Sequence, residues 1–318
     1  MKAQLTKIFI FLGFLIIFSC DAIFEEDISE ADINLIFPEN GKAYETNNIS
    51  FYWNEIDGAD EYRLQLYNEN IIVLDTLIQE NSFVIDLNPG NYNWKIQGLN
   101  FAYSTRFSAE FKFVVRQSND LSSQSVILDV PSDNLITNSG SILLLWKENP
   151  VANSYELRVY KDGDTRLAIL TKDGLTEGKF TLDQSSLGED AKYSWMVRAV
   201  NELSRTQFSE RSFYIDRDTP NKPELLKPEQ NENFTQSIIQ FEWVEVQDEG
   251  NVKSNIQYQF ELSKNLDFEQ LVLSEATDLT TISIVLSANS GTYYWRVKAI
   301  DEANNKSDFS NNRSFTIN

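Results

Sequence analysis

Tyr92-Asn93-Trp94-Lys95-Ile96-Gln97-Gly98-Leu99-Asn100 decides how this chain folds, because the same pattern returns twice. Tyr193-Ser194-Trp195 opens the run WMVRAVN, and Tyr293-Tyr294-Trp295 opens WRVKAID. Apolar and polar residues alternate along each run, and alternation at period 2 sends one side of a strand to a core and the other to water. Upstream of each stands another alternating run headed by a tyrosine: YRLQLY from Tyr62, YELRVY from Tyr155 and YQFELS from Tyr258. Farther upstream, Trp53, Trp146 and Trp243 each follow a proline (Pro38, Pro131, Pro228) by fifteen residues. Tyr62 and Tyr155 come nine residues after their tryptophans and Tyr258 comes fifteen after, so the third copy carries a six-residue insertion. Downstream, Phe107-Ser108, Phe208-Ser209 and Phe309-Ser310 precede the closing runs EFKFVV, RSFYID and RSFTIN.

Markers at matching offsets define three repeats of about 95 residues, each a supersecondary unit of its own. Short alternating runs broken by Asn, Gly, Asp and Pro read as strands, and some seven of them per copy suit an antiparallel β-sandwich. A domain of this size buries roughly 60–65% of its unfolded-chain surface, enough for a core without disulfides. The residues resemble the fibronectin type III family: a tryptophan on the second strand, a tyrosine on the third, and Leu87-Asn88-Pro89-Gly90-Asn91-Tyr92 matching its L-x-P-x-x-Y stretch. Bacterial Ig-like repeats carry similar markers. The resemblance implies an all-β fold of three tandem antiparallel sandwiches. It also implies that Tyr92, Tyr193 and Tyr293 are corner tyrosines bonded to upstream backbone. The second and third copies lack the proline, so their turns are expected to differ. The expected domains are 32–116, 125–217 and 218–318, with a polar linker over 117–124 and a proline-containing hinge over 218–223.

The first nineteen residues read as a secretory leader, with Lys2 and Lys7 ahead of an apolar stretch from Ile8 to Phe18. That stretch is too short to span a bilayer, which takes roughly 20 apolar residues as a helix. Ile17-Phe18-Ser19-Cys20 resembles the lipobox of bacterial lipoproteins, although Phe18 stands where a small residue is usual. The resemblance implies cleavage before Cys20, acylation of Cys20, and a membrane partner reached through that lipid. Cys20 is the single cysteine, so no internal disulfide is available. Residues 20–31 form an acidic tether that resembles those of Bacteroidetes-type surface lipoproteins. It implies a cell-envelope, outer-membrane location with surface exposure.

Composition narrows the function. Forty-eight Asp and Glu stand against 27 Lys and Arg, a formal charge of −21. Leader cleavage removes Lys2 and Lys7 and deepens it. Such a surface argues against nucleic acid as a partner. The chain has no histidine. Together with the single cysteine, this removes Ser-His-Asp and Cys-His nucleophiles, the usual zinc ligand sets and CxxC redox chemistry. No phosphate loop or GxGxxG is present. A carboxylate pair of the glycosidase kind remains formally available, but the acidic residues are spread over loops and outward strand positions. The tryptophans recur at one spacing, which assigns them to packing rather than to sugar stacking. No enzyme activity and no required cofactor are expected.

Residues found in one copy only are the candidates for function, and two places carry them. In the first repeat Phe101, Tyr103 and Arg106 lie in a loop whose equivalents hold no aromatic. This loop is expected at the tether end of its domain. The residues serve either as a contact patch or as cover for that end. At the junction of the second and third repeats, Asp216 and Asp218 stand in the linker, Asp248 and Glu249 in the inserted loop, and Asp301 and Glu302 in a later one. These supply oxygen ligands of the kind Ca²⁺ needs, about 6–8 at 2.3–2.6 Å; the other reading is a hydrated hinge. The leading expectation is a non-catalytic lipid-anchored protein that presents its modules for protein contact or adhesion. The rival is a glycan-binding lipoprotein accessory to polysaccharide uptake, with Phe101 and Tyr103, joined by Tyr52 or Tyr44, as its stacking candidates.

Overall fold

The structure, a computed structural model, describes residues 25–286 and 290–318. The leader and Cys20 lie outside the described residues. Among the latter there are 24 strands and no helix. The chain divides into two compact units. One is built from residues up to 42 with 50–84 and 90–114; the other is built from 43–49, 85–89 and 115–318.

In the first sandwich β1 (Leu35–Phe37), β3 (Asn48–Trp53) and β6 (Ser82–Asp86) form a sheet in the order β1-β3-β6. Facing strands β2 (Lys42–Tyr44), β4 (Glu61–Asn68), β5 (Ile71–Ile78), β7 (Gly90–Leu99) and β8 (Phe111–Val115) run in the order β2-β8-β7-β4-β5. The second sandwich repeats this plan. Its small sheet is β9 (Leu128–Val130), β11 (Ile142–Trp146) and β14 (Lys179–Leu182). Its large sheet orders β10 (Leu135–Thr137), β16 (Ser209–Ile215), β15 (Ala191–Val200), β12 (Ser154–Lys161) and β13 (Leu170–Leu175). In the third, β17 (Leu225–Lys227), β19 (Ile238–Trp243) and β22 (Thr281–Val285) form the small sheet. The large one orders β18 (Glu232–Phe234), β24 (Arg313–Ile317), β23 (Gly291–Ile300), β20 (Gln257–Ser263) and β21 (Leu271–Thr277).

Each sandwich therefore has eight strands rather than some seven. The repeat's first run is split at Pro38, Pro131 or Pro228, after which the chain leaves the small sheet and joins the large one. Proline has no N–H to give a ladder, so a strand breaks there. The second piece pairs in parallel with the closing strand, as Leu135↔Phe213 and Glu232↔Phe315 do. In the second and third sandwiches an arginine holds the break: Arg211 donates to the carbonyls of Asp129 and Pro131, and Arg313 to those of Leu226 and Pro228.

The core repeats with the plan. Trp53, Trp146 and Trp243 each meet the fourth-strand tyrosine, Tyr62, Tyr155 or Tyr258, edge-on with ring centroids 5.5 Å apart. Tyr92, Tyr193 and Tyr293 stack on Phe113, Phe213 and Phe315. All six tryptophans are buried, and their indole N–H groups have no hydrogen-bond partner among the described residues. These rings act as apolar volume. Each large aromatic takes about 150–250 Å² out of water, on the order of 4–6 kcal/mol of transfer free energy. The tyrosine hydroxyls are placed by bonds. Tyr193 donates to the Glu189 carbonyl at 2.8 Å, the corner expected of it. Tyr62 accepts from the Ile56 N–H at 2.8 Å, Tyr155 from Asn149 at 2.6 Å and Tyr258 from Val246 at 2.9 Å. The first two bonds span six residues and the third spans twelve. The insertion therefore loops out between two fixed points and leaves the tyrosine's role intact.

Candidate functional sites

The turn after the long strand of each large sheet shows where the third repeat departs from the others. Asn100 and Asn201 open that turn in the first two sandwiches. The Oδ1 of each accepts two backbone N–H bonds, from Ala102 and Tyr103 and from Leu203 and Ser204. Each Nδ2 then reaches outward. Asn100 donates to the carbonyls of Glu26 and Gly58, and Asn201 to those of Asn119 and Val151. One side-chain amide thus ties the segment preceding the sandwich to the loop between its third and fourth strands. In the third sandwich this position is Asp301. Its Oδ1 still accepts from the turn, from the Asn305 N–H at 2.7 Å, but a carboxylate has no N–H to send outward.

Two further carboxylates stand where those carbonyl partners would be. Asp216, directly after β16, and Asp248, in the inserted loop, join Asp301 so that one oxygen of each lies within 4.8 Å of the others. All three side chains are buried, Asp216 with 0% exposure. Hydrogen bonds hold each from behind. Asp248 Oδ1 accepts from the Glu249 N–H, and its Oδ2 from the Ser254 N–H and hydroxyl. Asp301 Oδ2 accepts from Asn305 Nδ2, which also reaches the Asp216 carbonyl. Asp216 Oδ1 accepts from the Asp218 N–H, but its buried Oδ2 has no partner among the described residues. No Lys or Arg forms an ion pair with any of the three within 4.0 Å among the described residues. Burial, with repulsion from Asp248, Asp301 and Asp190, pushes the Asp216 carboxyl up to about 6. Burial also raises that of Asp301, against the bonds from Asn305.

The site is smaller than the residues expected from the sequence. Glu249 and Glu302 are not part of it. Glu249 Oε1 accepts from Asn221 and Glu302 Oε1 from Asn255, so their longer side chains turn to neighbouring amides on the surface. Asp218 belongs to a second group with Asp216 and Asp190. Asp190 already forms an ion pair with Arg217 at 2.6 Å. Asp190 escaped the sequence reading because it sits just ahead of β15, far in sequence from the linker it meets.

In the first sandwich the loop 100–106 lies against the tether-side segment, through Asn100 to Glu26 and an Arg106–Glu30 contact of 3.8 Å. Both charged side chains are largely exposed, so this pair contributes about 0–1 kcal/mol. Phe101 is 93% exposed and Tyr103 is 40% exposed.

A third feature was missed in the sequence. Among the described residues the terminal strand of the first large sheet, β5, pairs only with β4 and leaves its other edge open. It shows Ile71, Ile72, Val73 and Leu77 to solvent. The equivalent strand of the second sandwich reads Leu-Thr-Lys-Asp-Gly-Leu, with charges at Lys172 and Asp173. Native sheets usually guard such an edge with charge, proline or a bulge. Here one charge, Asp75 held by Arg63 at 2.7 Å, and a register shift at Val73 stand among exposed apolar residues that outnumber them.

No protein-family model matches the chain, and no curated protein matches it. Among solved structures it is similar to the crystal structure of the FN1–FN3 domains of chicken CNTN1, at 14% identity and a TM-score of 0.37, over 90% of this chain and 97% of that one. A likeness of that degree carries no argument, and the strand order repeated three times defines the fold. The chain is an all-β protein of three tandem β-sandwiches that share one strand order.

Proposed function

We propose that this chain is a lipid-anchored cell-envelope protein, held by Cys20, whose sandwiches present a non-catalytic surface to a protein partner. The observation that carries this reading is the open apolar edge of β5. An unpaired edge offers a row of N–H and C=O groups to an incoming strand, and alternate side chains give that strand its specificity. Ile71, Ile72, Val73 and Leu77 would cover an added strand with apolar contact, while the charged edge of the second sandwich lacks this. The test places a photo-crosslinking side chain at Leu77 in the intact envelope, with Thr171 as the control position. Cross-links at Leu77, lost when Val73→Lys adds a charge to the edge, are expected. Equal cross-linking at both positions, or no effect of Val73→Lys, refutes the reading.

A second reading, glycan binding, is favoured by one observation: Phe101 projects almost wholly into solvent beside Tyr103. With every tryptophan buried, stacking on sugar would fall to these two rings and to Tyr52, which is 45% exposed on β3. A glycan-array signal abolished by Phe101→Ala supports it, and a signal that survives in that variant refutes it.

A further inference from the structure

We propose that Asp216, Asp248 and Asp301 bind one Ca²⁺ ion that joins the last strand of the second sandwich to two loops of the third. Two independent observations carry this. The first is the orphan oxygen: Asp216 Oδ2 is buried, has no partner among the described residues, and belongs to a side chain aimed at the other two carboxylates. A buried ionised oxygen without hydrogen bond or counter-charge is costly, and a cation at that point removes the cost. The second is the comparison between repeats. In the first two sandwiches the protons of Asn100 and Asn201 link the preceding segment to the neighbouring loop. In the third, all three corners of the same triangle carry carboxylate; Asn305 Nδ2 ties the turn to the Asp216 carbonyl, but the facing carboxylates need positive charge from elsewhere. Among the described residues no lysine or arginine supplies it; Lys253 donates to the Asp248 backbone carbonyl instead.

The ligand set points to a hard cation. All donors are oxygen, with no histidine in the chain, which disfavours zinc and copper. Oxygens on opposite sides of one Ca²⁺ ion stand at most about 5 Å apart, twice the 2.3–2.6 Å bond, and the triad's oxygens, all within 4.8 Å of one another, meet that limit. Three carboxylates, nearby carbonyls and water complete the roughly 6–8 ligands Ca²⁺ takes in irregular geometry, whereas Mg²⁺ demands a near-ideal octahedron.

The experiment uses the mature chain from residue 20, stripped with chelator. Calcium chloride is titrated to about 10 mM, a range set by the affinities of about 10⁻⁴–10⁻³ M typical of extracellular calcium modules. Calorimetry is expected to give one ion per chain. Thermal unfolding is expected to shift upward by roughly 3–10 °C at saturation. Asp301→Asn installs the residue that the other two sandwiches already use, so it is expected to fold and to lose the response. Asp216→Asn should lose it too, while Glu249→Gln and Glu302→Gln keep it. No heat and no shift in the unsubstituted chain overturns the proposal. So does a full response in Asp301→Asn and Asp216→Asn. An equal response to magnesium chloride overturns calcium as the ion.

Discussion

Replacing the fourth-strand tyrosine of each sandwich by phenylalanine tests what holds the loops over the core. Tyr62→Phe, Tyr155→Phe and Tyr258→Phe keep the ring, and with it the edge-on contact to Trp53, Trp146 and Trp243. Each removes only the acceptor for one backbone N–H, that of Ile56, Asn149 or Val246. A buried donor left without a partner costs about 1–3 kcal/mol, which is roughly a 5- to 150-fold loss of hydrogen-exchange protection. The three bonds are not equal in setting. Those of Ile56 and Val246 are buried, whereas that of Asn149 is partly buried although it is the shortest at 2.6 Å. If desolvation sets the cost, water replaces the lost hydroxyl at Asn149, and its protection falls least. If bond length sets the cost, it falls most. Hydrogen exchange followed by mass spectrometry in the whole chain reads the three loops separately, which matters because three domains need not unfold as one transition. A loss at Asn149 equal to or larger than those at Ile56 and Val246 refutes the desolvation argument. Protection unchanged in all three refutes the bonds themselves.

Other outcomes follow from the same geometry. Leu144→Ala empties a fully buried site in β11 and should lower stability by about 2–5 kcal/mol in urea melts, while Leu143→Ala, on the solvent side of the same strand, should stay within about 0.5 kcal/mol. Gly41 and Gly250 share a φ of +79°, but a Cβ at Gly41 meets nothing within 4 Å and one at Gly250 falls 1.9 Å from Asp218 Oδ2. Gly41→Ala should therefore cost about 1–2 kcal/mol from backbone strain, and Gly250→Ala more, as read by denaturant midpoints. Cys20→Ser should abolish metabolic labelling with an alkyne fatty acid and move the protein from the membrane fraction to the soluble one; retained labelling would place the lipid elsewhere.

Much of this protein was legible in its sequence. Period-2 runs headed by tyrosine and tryptophan specify strands, because alternation admits only one side to a core, and their recurrence specifies three copies of one sandwich. Even the insertion between Trp243 and Tyr258 was countable, and it reappears as a hydrogen bond that spans twelve residues instead of six. What the sequence left open concerns which side chains meet. Asp216, Asp248 and Asp301 converge only because the end of one sandwich is set against two loops of the next, while Glu249 and Glu302, their immediate neighbours, turn to Asn221 and Asn255. Successive residues of a loop point in different directions, so adjacency in sequence does not carry a ligand set. Ile71-Ile72-Val73-Leu74 taken by itself has the signature of a strand buried on both faces. Sheet order placed it at an open edge, and strand neighbours are set by long-range hydrogen bonding that local pattern does not encode.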